Sequence, residues 1–115
     1  MIDLNRLFPQ ALDALLRSTG CARGCSFFLK PDAEPQIPVL RNLRDDIAHF
    51  LLKEILPQVD AFAGFQNLGE LQIKTGQIDA KRCYFLPLSE SAVLKGGLLL
   101  IDGPVKIDRQ ISSAD

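Results

Sequence analysis

The sequence lacks a large charge excess and a long apolar run. Its 115 residues carry 13 Lys plus Arg against 14 Asp plus Glu, a formal net charge of −1. So small a charge gives no field that attracts a phosphate backbone or an anionic lipid surface. The apolar run Leu98–Ile101 is much shorter than the roughly 20 residues that a membrane-spanning helix needs. We therefore expect a soluble chain with no nucleic-acid partner and no membrane insertion.

Signals for export and for disulfide bonding are also missing. Polar residues and Pro9 interrupt the start of the chain, so it lacks the uninterrupted hydrophobic region of a secretory signal. The cysteines Cys21, Cys25 and Cys83 form an odd set without a CxxC pair, which is typical of proteins in a reducing compartment. We expect a cytoplasmic protein with free thiols.

The sequence contains no motif that specifies catalysis, a metal or a cofactor. His49 is the only histidine, and a metal site would need further ligands whose positions the pattern does not supply. There is no Ser-His-Asp set, phosphate-binding loop or specific carboxylate pair, and we interpret Gly96 and Gly97 as a place where backbones pack closely. We predict no catalytic residue, no metal ion and no cofactor.

Length and composition favour a single domain spanning residues 1–115. With 47% apolar and 23% charged residues, the chain has the composition of an ordinary globular protein and enough apolar surface for one core. A chain of this length is too short for two domains of the usual size.

Two amphipathic helices are predicted. The first ends at Gly20 and either starts near Pro9 or is kinked there; its apolar stripe is Leu4, Leu7, Phe8, Ala11, Leu12, Leu15 and Leu16. The second is capped by Asn42 and runs to Pro57; its buried stripe is Leu43, Ile47, Phe50, Leu51 and Ile55. The opposite arc of the second helix carries Asp45, Asp46, His49 and Lys53, and it faces solvent or a ligand.

Short apolar segments separated by turn residues predict strands. They cover residues 25–29, 36–40, 71–73, 82–88 and 95–101, with an irregular stretch at 59–69 and a loop at 89–91. Pro38 confines the second strand to an edge of the sheet. The element order predicts an α+β fold, an antiparallel sheet of about five strands with the helices against one face.

Three stretches resemble the GAF domain, a sensory module related to the PAS domain. Residues 21–30, CARGCSFFLK, resemble the first strand of that family, in which small residues lead into an aliphatic and aromatic run. Residues 83–88, CYFLPL, are similar to its penultimate strand, and residues 94–102, LKGGLLLID, resemble its last strand. The resemblance implies a PAS-like or profilin-like arrangement of the sheet.

The resemblance also implies a function. It suggests a non-catalytic sensory domain of a bacterial signalling protein, which binds a small molecule or a partner and controls an attached module such as a histidine kinase. The chain would then be a piece of a longer protein. The Asn-Lys and Phe-Asp pairs of cyclic-nucleotide-binding members are absent, and no cysteine precedes a histidine as in bilin-binding members, so these two ligands are disfavoured.

Candidate site residues follow from the same interpretation. The predicted ligand-binding residues are Phe28, His49, Phe62, Phe65 and Cys83. The predicted homodimer contact is the first helix, through Leu4, Phe8, Leu12 and Leu15. Two alternatives stay open: a ligand-free dimerisation or scaffold domain, and a thiol redox sensor that uses Cys21 and Cys25, in which Arg23 lowers the pKa of a nearby thiol.

Overall fold

The computed structural model describes residues 4–60, 63–69 and 82–102. The elements in chain order are helix α1 (Leu4–Thr19), strands β1 (Arg23–Phe28) and β2 (Gln36–Arg41), helix α2 (Asp45–Ile55) with a 3₁₀ turn (Leu56–Gln58), and strands β3 (Gln66–Asn67), β4 (Arg82–Glu90) and β5 (Val93–Asp102). The strand expected at 71–73 lies outside the described residues. Neither described helix has the length and apolar character to cross a membrane.

The five strands form one antiparallel sheet in the order β2-β1-β5-β4-β3, which confirms the predicted α+β class. Cys25 of β1 lies opposite Leu99 of β5, and Phe28 lies opposite Gly96. The first and last GAF-like stretches are therefore neighbours at the centre of the sheet. Pro38 is exposed in β2, an edge strand, as expected from its missing N–H.

The two helices pack on opposite faces of the sheet, which corrects the expectation that both cover one face. Successive side chains of a strand point to opposite faces. Leu99 and Ile101 of β5 pack with α2, whereas Leu98 and Leu100 pack with α1. Because the apolar run in β5 is continuous and does not alternate with polar residues, both faces need a cover.

Each half of the core is named here after its helix. The α2 core contains the buried residues Cys25, Phe27, Ile47, Ala48, Leu51, Leu52, Ile55, Cys83, Phe85, Leu99 and Ile101. The α1 core contains Phe8, Leu12, Cys21, Leu98 and Leu100.

Helix α1 begins before Pro9, runs through it and stops where the sequence predicts. Gly20 has a φ of +75°, a conformation that suits glycine, and its N–H donates to the Leu16 carbonyl at 3.0 Å. On the buried side, Phe8 and Leu12 are 7% and 0% exposed, and burying such a side chain contributes about 1.5–3 kcal/mol to stability. Their own sheet buries Phe8 and Leu12, which leaves little of either side chain for a second copy, so the homodimer contact through them stays a prediction.

The start of helix α2 differs from the expectation. Asn42 does not cap it; this residue has a φ of 53° after the end of β2, and its Nδ2 donates to the Ala22 carbonyl at 2.9 Å. The N-cap is Arg44, whose side chain makes no cap hydrogen bond, and the Asp46 carboxylate accepts from the Ile47 N–H at 2.9 Å. The amide of Asn42 is therefore used to hold the sheet instead of the helix.

Strands β4 and β5 are joined by a tighter turn than expected. β4 continues to Glu90, so Ser89 and Glu90 lie in the strand and not in a loop. The turn consists of Ser91 and Ala92, whose φ values of 53° and 65° are those of a two-residue hairpin of the type that matches strand twist.

Arg82, at the start of β4, connects distant parts of the fold. Its Nη1 donates to the Thr19 carbonyl at 3.1 Å and its Nε donates to the Asp102 carboxylate at 3.0 Å. Carbonyls at the end of a helix lack helical donors, and a positive charge there is favourable. One guanidinium therefore holds the end of α1 and the end of β5 together.

Candidate functional site

A surface cleft of about 570 Å³ opens at one end of the sheet, between the β1–β2 and β4–β5 connections. We name it the hairpin cleft. It is lined by Phe28, Leu29, Lys30, Gln36, Leu88, Ser89, Glu90 and Lys95. Its volume falls within the range of roughly 300–1,000 Å³ that is usual for sites binding small molecules.

The strand register shapes the cleft. β1 and β5 remain paired up to Phe28 and Gly96, and the Leu29 N–H donates to the Lys95 carbonyl at 2.9 Å just beyond. Phe28 is half-buried and stacks on Phe8 of α1, with ring centroids 4.9 Å apart and an interplanar angle of 14°. This contact fixes the Phe28 ring, so the apolar wall of the cleft is held in place before any ligand arrives.

The rim of the hairpin cleft is charged and mostly positive. Lys30 and Lys95 each present an exposed ammonium group, and Glu90 presents an exposed carboxylate. Within the described ranges, none of the three forms an ion pair with another side chain. An apolar wall beside two cations suits a small apolar molecule that carries a carboxylate.

Of the predicted ligand-binding residues that the structure describes, Phe28 lines this cleft, and His49, Phe65 and Cys83 lie elsewhere. Phe65 is 46% exposed and stacks on Tyr84, with centroids 5.4 Å apart. Tyr84 pairs with Leu100, four residues along β5 from Gly96, the partner of Phe28. Phe62 lies outside the described residues. The structure therefore does not bring these aromatic residues together.

Cys83 belongs to the α2 core and is fully buried. Cys21, Cys25 and Cys83 are all free and buried. Burial raises the pKa of both Cys25 and Cys83 to about 12, with a smaller contribution from a neighbouring thiol in each case. Because the thiolate is the reactive form, this environment opposes a redox role for Cys25 and Cys83.

His49 lies on α2 and faces the β1–β2 connection. Its Nδ1 is 2.9 Å from the Asp45 carbonyl oxygen, and its Nε2 is 3.0 Å from the Pro35 carbonyl oxygen. Both ring nitrogens therefore have partners inside the chain. In the described parts of the chain, no group of three or more His, Cys, Asp or Glu residues is placed to hold a metal ion.

The sequence interpretation missed the charged residues of the cleft. Lys30, Glu90 and Lys95 flank turns, where charged side chains are common and carry little information about function. Lys30 and Lys95 become part of one site only because β1 and β5, which are distant in sequence, are paired in the sheet. That pairing brings Lys30 and Lys95 to the same cleft.

The fold has a counterpart among solved structures. The chain superposes on a domain of a protein assigned as a two-component sensor histidine kinase from Sinorhizobium meliloti 1021 with a TM-score of 0.57 and 12% sequence identity. The match covers 99% of this chain and 84% of the other. No family model matches the sequence. No curated protein matches it either.

Proposed function

We propose that this chain is a sensory domain, without catalytic activity of its own, that binds a small molecule and controls an attached signalling module such as a histidine kinase. The observation that carries the proposal is the likeness to a sensor kinase domain, which spans 99% of the chain. The GAF-like stretches support the same function, because they form the paired strands β1 and β5 at the centre of the sheet.

The hairpin cleft is the proposed ligand site. It combines an apolar wall, a charged rim and an opening to solvent, whereas Cys83 and its neighbours on the other face are packed against α2. Two ammonium groups and one carboxylate favour an anionic ligand over a cationic one. The ligand class we propose is therefore a small apolar carboxylate.

The test is an NMR titration of the labelled protein with benzoate, compared with benzamide, which has a similar shape and no charge. We expect benzoate to shift the amide signals of residues 28–30 and 88–95. Lys95→Gln should weaken binding about three- to fivefold, since an exposed ion pair contributes up to about 1 kcal/mol. The matched control is Arg17→Gln, which removes one positive charge at an exposed position outside the cleft.

Three results would contradict the ligand site. Benzoate and benzamide binding equally well would show that the ammonium groups are not used. Equal losses for Lys95→Gln and Arg17→Gln would show an effect of net charge alone. A domain that binds neither probe would favour the ligand-free scaffold.

Dimerisation through α1 remains part of the proposal, on a different surface from the one the sequence indicated. Leu7 is 43% exposed and borders a largely apolar groove of about 190 Å³ with Ala11, Leu86 and Leu88. Leu7→Asp should shift a dimer to monomer in light scattering without unfolding the domain. A wild-type monomer at high concentration would exclude this interface.

A further inference from the structure

His49 joins two elements that are separate in sequence. It is in the second turn of α2, and its Nε2 reaches the carbonyl of Pro35, 14 residues earlier, in the connection between β1 and β2. The side chain of His49 is 30% exposed, so it can exchange protons with solvent. Pro35 directly precedes Gln36, the first residue of β2.

Both partners of the imidazole ring accept hydrogen bonds. The Asp45 carbonyl oxygen lies 2.9 Å from Nδ1, and the Pro35 carbonyl oxygen lies 3.0 Å from Nε2. A neutral imidazole has one N–H and can donate to only one of these oxygens, whereas the imidazolium has two and donates to both. The observed geometry is therefore satisfied in full only by protonated His49.

The surrounding carboxylates also favour the protonated form of His49. The Asp45 carboxylate is 3.4 Å from Nδ1, and the charge of Glu34, in the β1–β2 connection, also favours the protonated ring. Lys53, one turn further along α2, is the nearby cation, and its Nζ is 3.9 Å from Glu34. The hydrogen bond to the Asp45 carbonyl raises the pKa of His49 above its usual 6.5, the Pro35 carbonyl and the two carboxylates add to this, and partial burial opposes it.

Nδ1 faces two acceptor oxygens of Asp45, whereas Nε2 faces only the Pro35 carbonyl, so the single proton of a neutral ring is favoured on Nδ1. We propose that His49 is a proton-controlled clamp that fastens the β1–β2 connection to α2 when the ring is charged and releases Pro35 when the ring is neutral. The connection includes Lys30 and ends at Gln36, which both line the hairpin cleft, so release would change one wall of that cleft. The inference does not depend on the proposed function, because it concerns contacts within the chain.

The experiment is an NMR pH titration of the full chain between pH 5.5 and 9, which is a range chosen to lie above the usual carboxylate pKa values of about 4. His49 is the only histidine, so its ring signals need no assignment. We expect a midpoint above 6.5, with the amide signals of Ala33, Glu34 and Gln36 following the same midpoint. After division by the intrinsic exchange rate, which itself rises with pH, hydrogen exchange in that segment should be about fivefold faster above the midpoint than below it, as expected for the loss of one hydrogen bond.

Two variants separate the clamp from a bystander histidine. Asp45→Asn keeps both carbonyl acceptors and removes a charge, so the midpoint should fall while the segment still titrates. His49→Gln should abolish the titration of these amide signals. A wild-type midpoint at or below 6.5 would overturn the proposal, as would amide signals of Ala33, Glu34 and Gln36 that do not follow the ring. The wild-type titration decides the matter even if a variant fails to fold.

Discussion

Gly96 is the position where one added methyl group tests the central strand pairing. A Cβ built on Gly96 would lie 2.4 Å from the carbonyl oxygen of Phe27 and 3.3 Å from Cα of Phe28, whereas real Cβ atoms essentially never come closer than 3.0 Å to such atoms. Both neighbours are backbone atoms of β1, so neither can rotate away. The strands β1 and β5 would have to separate where Phe28 pairs with Gly96.

We expect Gly96→Ala to lower the free energy of unfolding by about 2 kcal/mol. Overpacking usually costs about 1–3 kcal/mol, and the lower entropy of an alanine chain in the unfolded state returns less than about 1 kcal/mol. The measurement is urea unfolding followed by far-ultraviolet circular dichroism. A loss of this size should also lower the melting temperature by about 8 °C.

The matched control is Gly64→Ala. A Cβ at Gly64 meets no atom within 4 Å, and Gly64 has no positive φ. This variant should be neutral or more stable by up to about 1 kcal/mol. If Gly96→Ala and Gly64→Ala had the same stability within about 0.5 kcal/mol, the close approach of β1 to β5 would be refuted.

The remaining predictions use the same unfolding assay. Burial raises the pKa of Cys25 and Cys83 from 9.0 to about 12, so the unfolded chain loses these two protons at a lower pH than the folded chain does. The free energy of unfolding should therefore fall as the pH rises above 9, by up to about 1.4 kcal/mol per pH unit for each thiol. Cys25→Ala should halve that slope, and a flat profile would contradict the burial. Ser26 is fully buried, and its hydroxyl has no hydrogen-bond partner among the described residues, so Ser26→Ala should raise stability by up to about 1 kcal/mol; a loss of that size would reveal a partner. Ala92→Gly should stabilise the β4–β5 turn by about 1 kcal/mol, because Ala92 has a φ of 65°; a destabilised variant would show that the turn has another geometry.

Local patterns predicted the elements well. The end of α1 follows from Gly20, whose φ of +75° suits no other residue as well. The edge position of β2 follows from Pro38. The close packing at Gly96 and Gly97 follows from the absence of a side chain, and is confirmed by the distances a Cβ would have there. In each case the chemistry of one residue, an absent side chain or an absent N–H, decides what the backbone does at that position.

What could not be predicted depends on pairings between distant segments. Asn42 has the chemistry of a helix cap, but the carbonyl of Ala22, 20 residues earlier, uses its amide. The cleft residues Lys30 and Lys95 were missed for a related reason, since each is an ordinary charged residue until β1 lies beside β5. The helix faces are different: the continuous apolar run Leu98–Ile101 is typical of a strand covered on both faces, and the expectation of one covered face overlooked it.

The contacts of Arg82 have a mechanical consequence. Its guanidinium is bonded both to the last carbonyls of α1 and to Asp102 at the far end of β5. A force applied at Asp102 would therefore reach α1 through the Arg82 side chain, as well as the neighbouring strands through the backbone hydrogen bonds of β5. Under load, the helix and the final strand should yield together, and Arg82→Ala should let them yield one at a time.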